Sequence, residues 1–330
     1  MEFRCCQYTK AKIANREINE VIKVDAKKSY SMYSVLILGA ENAGKSTIYR
    51  QMIDYSMCNM NVFKADVLFY FVQSVAMLSD AFKKANMRWK NATNSVLALQ
   101  LKEISLFMMN SLTGFHLTEN QLKIVESLCL DPVMQEIINL SCDFYPFCNA
   151  SYFVLNCNRI CNENYEPTKD DILRAKINKN SVEKTQLHSS GVGIQVIDIG
   201  DNINMKWNCY FETTFSVVFV VSLLDYDIPG KKMKTKLEDS IESFKNLLES
   251  TLFADVQIML LLNKRDMFKL KLPRVPLNEV YPEYFGGSNV KEAINYIKRK
   301  FAEVIGNRTN VHTHASCAFD SNIMRLSFYF

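Results

Sequence analysis

The apolar run Val35-Leu36-Ile37-Leu38 leads directly into Gly39-Ala40-Glu41-Asn42-Ala43-Gly44-Lys45-Ser46-Thr47, and then into Ile48-Tyr49-Arg50-Gln51-Met52. Apolar run, glycine-bounded loop and mixed segment predict strand, turn and helix in that order. A second run, Ile258-Met259-Leu260-Leu261-Leu262, reads as a strand buried on both faces. Between about residues 60 and 165 there is little alternation of the β kind. Segments there, such as Ala65-Asp66-Val67-Leu68-Phe69-Tyr70-Phe71-Val72 and Ser95-Val96-Leu97-Ala98-Leu99-Gln100-Leu101, fit helical spacing, although runs this short are ambiguous by periodicity alone. From about 168 onward strands alternate with helices, as in a mostly parallel sheet. Residues 1–30 are polar, charged and helix-permissive, and the chain carries no internal repeat or low-complexity tract.

Composition narrows this picture modestly. A chain of 330 residues with 48% apolar content has room for two domains and a real core. Ser216-Val217-Val218-Phe219-Val220-Val221, among the longest apolar runs, is far too short to span a bilayer. Arg4, Lys10 and Lys12 stand among polar residues with no apolar segment after them, which argues against a signal peptide. The ten cysteines include no C-x-x-C pair and no regular framework, so reduced thiols are expected rather than zinc or disulfides. A net charge of +4 is too mild to argue for nucleic acid.

The candidate chemistry sits at the ends of the apolar runs. Residues 39–46 fit G-x-x-x-x-G-K-[ST], the phosphate-cradling P-loop. Its glycines let the backbone bend so that N–H groups and a helix N-terminus face negative charge. Lys45 is placed to reach the outer phosphates, and the Ser46 hydroxyl to ligate Mg²⁺. After the strand at 258–262 comes Asn263-Lys264-Arg265-Asp266, in which Asp266 can accept two parallel hydrogen bonds from the N1–H and N2–H₂ edge of guanine. Adenine offers no such edge. The stem of Lys264 can cover one ring face while its ammonium stays wet. Ser316-Cys317-Ala318 follows in a third such position, where a backbone N–H can meet the guanine O6. On its own the Asn-Lys-x-Asp pattern is usually a solvated turn; beside a P-loop it becomes a strong signal.

With these motifs in order, the chain resembles a heterotrimeric G-protein α subunit over residues 11–330. The resemblance is carried by Leu36-Ile37-Leu38-Gly39-Ala40 with Gly44-Lys45-Ser46-Thr47, by Pro167-Thr168-Lys169-Asp170-Asp171-Ile172-Leu173-Arg174, and by Lys206-Trp207 and Phe211-Glu212. Asp225-Tyr226-Asp227, Leu262-Asn263-Lys264-Arg265-Asp266-Met267-Phe268 and Tyr281-Pro282-Glu283-Tyr284 extend it. It implies a Ras-like P-loop GTPase domain of α/β class with a mostly parallel sheet, residues 31–58 and 168–330, interrupted by an all-α helical domain at 59–167. It also implies an N-terminal helix over 1–30 that rests on a βγ dimer, with the Trp207 region as a second contact. The implied ligands are GTP or GDP and Mg²⁺. The implied nucleotide contacts are Glu41, Asn42, Ala43, Gly44, Lys45, Ser46, Thr47, Asp201, Asn263, Lys264, Asp266, Cys317 and Ala318, with Ser46 and Asp198 at the metal.

The departures from the family pattern fall on its working parts. Lys176 stands where the family has the arginine that stabilises charge on the γ-phosphate, a contribution of about 10³–10⁵ in rate. Arg174 matches a second family arginine, and either residue is a candidate charge stabiliser. A lysine supplies charge without the planar two-pronged donor. The switch threonine that completes the Mg²⁺ shell aligns with Lys179, and Ser181 or Thr185 replaces it only if the loop slips. The family's D-x-G-G-Q becomes Asp198-Ile199-Gly200-Asp201-Asn202, which sets a carboxylate near a polyanion and shortens the water-orienting amide by one methylene. Glu41 and Asn42 replace glycine and glutamate in the P-loop, Pro229-Gly230-Lys231-Lys232-Met233-Lys234 replaces an acidic switch, and the last helix is short. That shortness argues against receptor coupling. Glu2 rules out N-myristoylation, while Cys5-Cys6 is a candidate palmitoylation site, placing the chain in the cytoplasm or at the inner face of the plasma membrane.

Two readings of activity follow: a GTPase switch with weak hydrolysis, or a pseudo-GTPase that holds GDP without switching. An ATP-using P-loop kinase is a third class, disfavoured by Asp266.

Overall fold

The computed structural model describes residues 32–52, 59–84, 87–110, 117–141, 149–175, 183–189, 192–199 and 214–320. The strands are β1 (Met32–Gly39), β2 (Glu183–Ser189), β3 (Val192–Asp198), β4 (Thr214–Ser222), β5 (Gln257–Asn263) and β6 (Val311–Ala315). They form one six-stranded sheet in the order β2-β3-β1-β4-β5-β6, parallel throughout except for the antiparallel pair β2–β3. This is the mostly parallel α/β sheet that the motif order predicts.

Residue alternation explains why the strands read as unbroken apolar runs. Leu36, Leu38, Ile197, Val217, Phe219, Val221, Ile258, Leu260 and Leu262 point to one face, where Phe244, Phe268, Ile297 and Phe301 cover them. Their neighbours Val35, Ile37, Val196, Val218, Val220, Met259 and Leu261 point to the other, against Ile48 and Tyr49. Successive side chains of a strand leave on opposite faces, so burial of both faces requires apolar residues at every position. The covering helices are α1 (Lys45–Met52) on one side and α9 (Lys236–Glu249), α10 (Arg265–Lys271) and α11 (Val290–Ile305) on the other.

A second core belongs to the helical segment between β1 and β2. Its elements are α2 (Lys64–Lys84), α3 (Asn94–Asn110), α4 (Glu119–Cys129), α5 (Pro132–Ser141), α6 (Ala150–Leu155), α7 (Cys157–Ile160) and α8 (Lys169–Arg174). Val67, Phe71, Val75 and Leu78 form the fully buried stripe of α2, at the i, i+4, i+8, i+11 spacing of one helix face. By length and composition Met60–Ala81 is apolar enough to cross a membrane, a property that short apolar runs do not reveal. Its apolar side is nevertheless taken up by Phe153, Leu101, Val125 and Leu128 of the same cluster. The cluster runs on through Ile172 and Ala175, so α8 packs with the helices before it.

Helix α8 is also the joint between the two cores. Arg50, 6% exposed on α1, donates from Nη1 to the carbonyls of Ile172 (2.9 Å) and Ala175 (2.7 Å). The Thr47 hydroxyl donates to the Leu173 carbonyl at 3.4 Å. Both donors stand on the helix that leaves the P-loop, so the helical body is tied to the loop's own scaffold.

Candidate functional site

The parallel strands end together, and the candidate residues collect at those ends, where open α/β sheets bind ligands. Gly39 closes β1 with φ +139°, and a Cβ there would lie 2.1 Å from the Val220 carbonyl oxygen. Only glycine lets β1 turn off so close to β4. Asn42 takes φ 61°, a left-handed conformation that asparagine tolerates, and Gly44 takes φ +103°. Glu41 is exposed, and its carboxylate accepts from the Asn42 amide at 3.4 Å. Ile48 N–H bonds the Gly44 carbonyl at 3.0 Å, so α1 begins directly behind the loop. Lys45 is 3% exposed and donates to the Gly39 (3.1 Å) and Ala40 (2.8 Å) carbonyls, which folds its ammonium over the loop. Ser46 is half-buried in the first turn of α1. Asp198 ends β3, buried, beside Ile37 of β1.

The second half of the site grows from β5. Lys264 follows the strand in the left-handed region (φ 66°, ψ 36°), which turns the chain at once into α10 and leaves Asp266 exposed on its first turn. The segment after β6 is pinned to this turn. Ser316 N–H donates to the Leu262 carbonyl at 2.8 Å, and Arg265 N–H to the Ser316 carbonyl at 3.2 Å. Burial pushes the Cys317 thiol pKa up, and the nearby Asp266 carboxylate adds to the shift. Asp266, Cys317 and Ala318 therefore share one loop cluster.

Asn263 joins the two halves. Its Nδ2 donates to the Ala43 carbonyl at 2.9 Å, and its Oδ1 accepts from Ala318 N–H at 3.0 Å. The side chain is 1% exposed, so both bonds are made away from water. A Cβ on Gly44 would come within 2.3 Å of the same Nδ2, which explains why this loop position is glycine. One buried amide thus sets the spacing between the phosphate-type loop and the base-type loop.

Among the described residues, the structure brings together Glu41, Asn42, Ala43, Gly44, Lys45, Ser46, Thr47, Asn263, Lys264, Asp266, Cys317 and Ala318 at one end of the sheet. Lys176, Lys179, Ser181, Asp201, Asn202, Trp207, Cys5 and Cys6 lie outside the described residues. Thr185 is held within β2 opposite Val196, so the loop slip that would bring it to a metal first has to unpair that strand. Arg174 is engaged elsewhere: its guanidinium carbon lies 4.5 Å from the Tyr152 ring centroid and 4.0 Å from that of Phe319. To reach a phosphate it has to leave both rings.

Sequence reasoning missed several residues that shape the site. Asp171, fully buried, accepts from Arg159, Tyr152, Tyr165 and Thr168; the Thr168-x-x-Asp171 capping box was the readable signal. Arg50 and Phe319 carry no local signal at all. Asp225, in the turn after β4, is fully buried, and neither carboxylate oxygen meets hydrogen-bond geometry among the described residues. Burial raises its pKa, opposed by the charges of Lys264 and Lys236.

Comparison with known proteins agrees with this geometry. The family profile described as G-protein alpha subunit matches residues 12–329. A guanine nucleotide-binding protein subunit alpha of Cryptococcus neoformans is 30% identical over 326 residues, covering 95% of this chain and 74% of that protein. The alpha-3 subunit of Mycosarcoma maydis is 29% identical, covering 96% and 92% respectively. The alpha-2 subunit of Dictyostelium discoideum is also 29% identical, covering 98% and 94%. The match includes the P-loop, the Asn263–Asp266 turn and the helical segment between them, and the chain therefore belongs to the G-protein alpha subunit family.

Proposed function

We propose that this chain binds GDP and GTP with Mg²⁺ and acts as a guanine-nucleotide switch whose hydrolysis is weak. The observation that carries the reading is the Asn263 amide, which fixes an anion-cradling loop and a guanine-edge acceptor at one spacing. Backbone N–H groups of residues 43–47 and the Lys45 ammonium would hold the phosphates, with the lysine leaving the Gly39 and Ala40 carbonyls for phosphate oxygens. Asp266 would select guanine, Ala318 N–H lies in the same loop, and Lys264 would cover the ring. Ser46, a half-buried hydroxyl in the first turn of α1, and Asp198, a buried carboxylate at the end of β3, suit a hard oxygen-seeking cation. Bound there, Mg²⁺ would neutralise phosphate charge.

Weak hydrolysis follows from three substitutions and one contact. By the family resemblance, Lys176 would supply a point charge in place of a forked donor, Asp201 would bring a carboxylate toward the γ-phosphate, and Asn202 would be one methylene short for orienting water. The ring contacts of Arg174 occupy the other candidate charge stabiliser. These same features favour a second reading, a GDP-holding pseudo-GTPase. A βγ dimer as partner, palmitoylation at Cys5-Cys6 and residence at the inner membrane face remain part of the proposal by family resemblance.

Titration of mant-GDP and a non-hydrolysable mant-GTP analogue into the full chain, with and without Mg²⁺, tests both readings. Comparable affinities with Mg²⁺ favouring the GTP analogue support the switch. Tight GDP binding with weak, Mg²⁺-indifferent GTP binding supports the pseudo-GTPase. Absence of binding to either nucleotide refutes both.

A further inference from the structure

The side chain of Arg174 links the helical body to the loop that follows β6. Its guanidinium lies between two aromatic rings, at 4.5 Å from the centroid of Tyr152 on α6 and 4.0 Å from that of Phe319. Phe319 directly follows Ala318, whose N–H bonds Asn263. The Tyr152 ring is itself held, because its hydroxyl donates to Asp171 at 2.8 Å and Asp171 stands one helical turn before Arg174 on α8. At the backbone, α8 is bound to α1 through Arg50 and Thr47, and the Arg174 carbonyl accepts from Asn149 Nδ2 at 3.0 Å. Helix α8 is thus fastened to the P-loop helix by hydrogen bonds from the Arg50 and Thr47 side chains to main-chain carbonyls, and to the base-type loop by the Arg174 cation beside Phe319.

The two attachments differ in kind. The backbone bonds to Arg50 are buried and hold the joint in place, whereas the ring contacts are made by a long side chain reaching from one body to the other. Arg174 Nε is buried with no hydrogen-bond partner among the described residues, so the stack, not a hydrogen bond from that nitrogen, holds the guanidinium on this side. A guanidinium suits this place better than an ammonium, because a planar, weakly hydrated cation can stack on an aromatic face.

We propose that the Tyr152–Arg174–Phe319 stack is a latch that holds the helical body against the base-type loop and slows the release of bound nucleotide. The inference rests on the guanine-nucleotide reading given above and adds to it the residues that set the lifetime of the bound state. Opening between the helical body and the loop separates Arg174 from Phe319. Its contact with Tyr152, which lies on the same body, survives.

The test is mant-GDP release from the full chain after a chase with excess GDP. Removing one of the two ring contacts, in Phe319→Ala, is expected to speed release by about 3- to 30-fold. Phe319→Leu, apolar but without a π face, is expected to release as fast as Phe319→Ala, and Phe319→Tyr to stay within about twofold of the parent. If Phe319→Ala leaves the rate within about twofold, or if Phe319→Leu restores the parent rate, the latch is overturned while nucleotide binding stands. If the parent chain takes up no mant-GDP, the nucleotide reading falls and the latch with it. Should Phe319→Ala fail to fold, Arg174→Gln removes the same contact from its other side and carries the same expectation and the same overturning result.

Discussion

Asp171→Asn removes one charge from the centre of the joint and should be measurable in stability and in its pH dependence. The carboxylate is fully buried and accepts from Arg159 Nη2 (2.7 Å) and Nη1 (2.9 Å), the Tyr152 (2.8 Å) and Tyr165 (3.0 Å) hydroxyls, and Thr168 N–H (2.8 Å). Burial alone would push its pKa up, but Arg159, Thr168 and Tyr152 together outweigh it and bring the value down from 3.8 to about 2. At 1.36 kcal/mol per unit, the folded state gains about 2 kcal/mol from the ionised form. Because the folded value lies below the unfolded one, that gain is present above pH 3.8 and is lost as pH falls through about 2.

Asparagine abolishes this titration and leaves Arg159 without its counter-ion. The Arg159 side chain is 39% exposed and stays partly hydrated, which keeps the loss below the roughly 3–5 kcal/mol of a fully buried broken pair. The expected loss at pH 7 is therefore about 2–3 kcal/mol. Of the two tryptophans in the chain, Trp89 packs against the helical core, so urea unfolding in a Trp207→Phe background lets Trp89 fluorescence report that body. The difference between parent and variant should shrink by about 1 kcal/mol between pH 7 and pH 3. A loss below about 0.5 kcal/mol at pH 7, or a difference that does not change with pH, would refute the argument.

Three further outcomes are expected. Asn263→Asp keeps an acceptor for Ala318 N–H but turns a second carboxylate oxygen toward the Ala43 carbonyl, so urea denaturation should show a loss of about 2–4 kcal/mol and mant-GDP affinity should fall at least about tenfold. Gly44→Ala places a methyl 2.3 Å from Asn263 Nδ2 at φ +103°, and the same two assays should show the same double defect even though Asn263 is intact. Asp225 has the opposite pH sign to Asp171. Its folded pKa is raised, so its contribution is present below 3.8 and is lost as pH rises through the folded value. Asp225→Asn should therefore raise the urea midpoint at pH 7 and gain less as pH is lowered toward 4.

The parts of this molecule that were legible from the chain are those in which a local pattern has a single physical solution. Val35–Leu38 and Ile258–Leu262 are continuous apolar runs because both faces of their strands are covered, and they lie within β1 and β5. The helical segment was harder to read. Ser95–Leu101 fits helical spacing, yet within α3 the side chain of Leu101 is fully buried while Val96 and Leu99 are more than half exposed. Periodicity announced a helix there but not which face is covered, because that depends on where α2 and α4 lie.

Sequence by itself determined the chemistry of the two loops. Only glycine fits at 39 and 44, and Lys45, Ser46, Asn263 and Asp266 are the residue types that phosphate and guanine recognition call for. It also carried the family, since so many motifs recur in order. Tertiary structure alone decided how the loops are held relative to one another. Asn263 is 220 residues from Ala43, Arg50 is 122 from Ile172, and Arg174 finds a ring on each side of its guanidinium from two separate elements. Local rules act over a few residues of chain, whereas such contacts are made by side chains that meet only after the sheet and the helical body have packed.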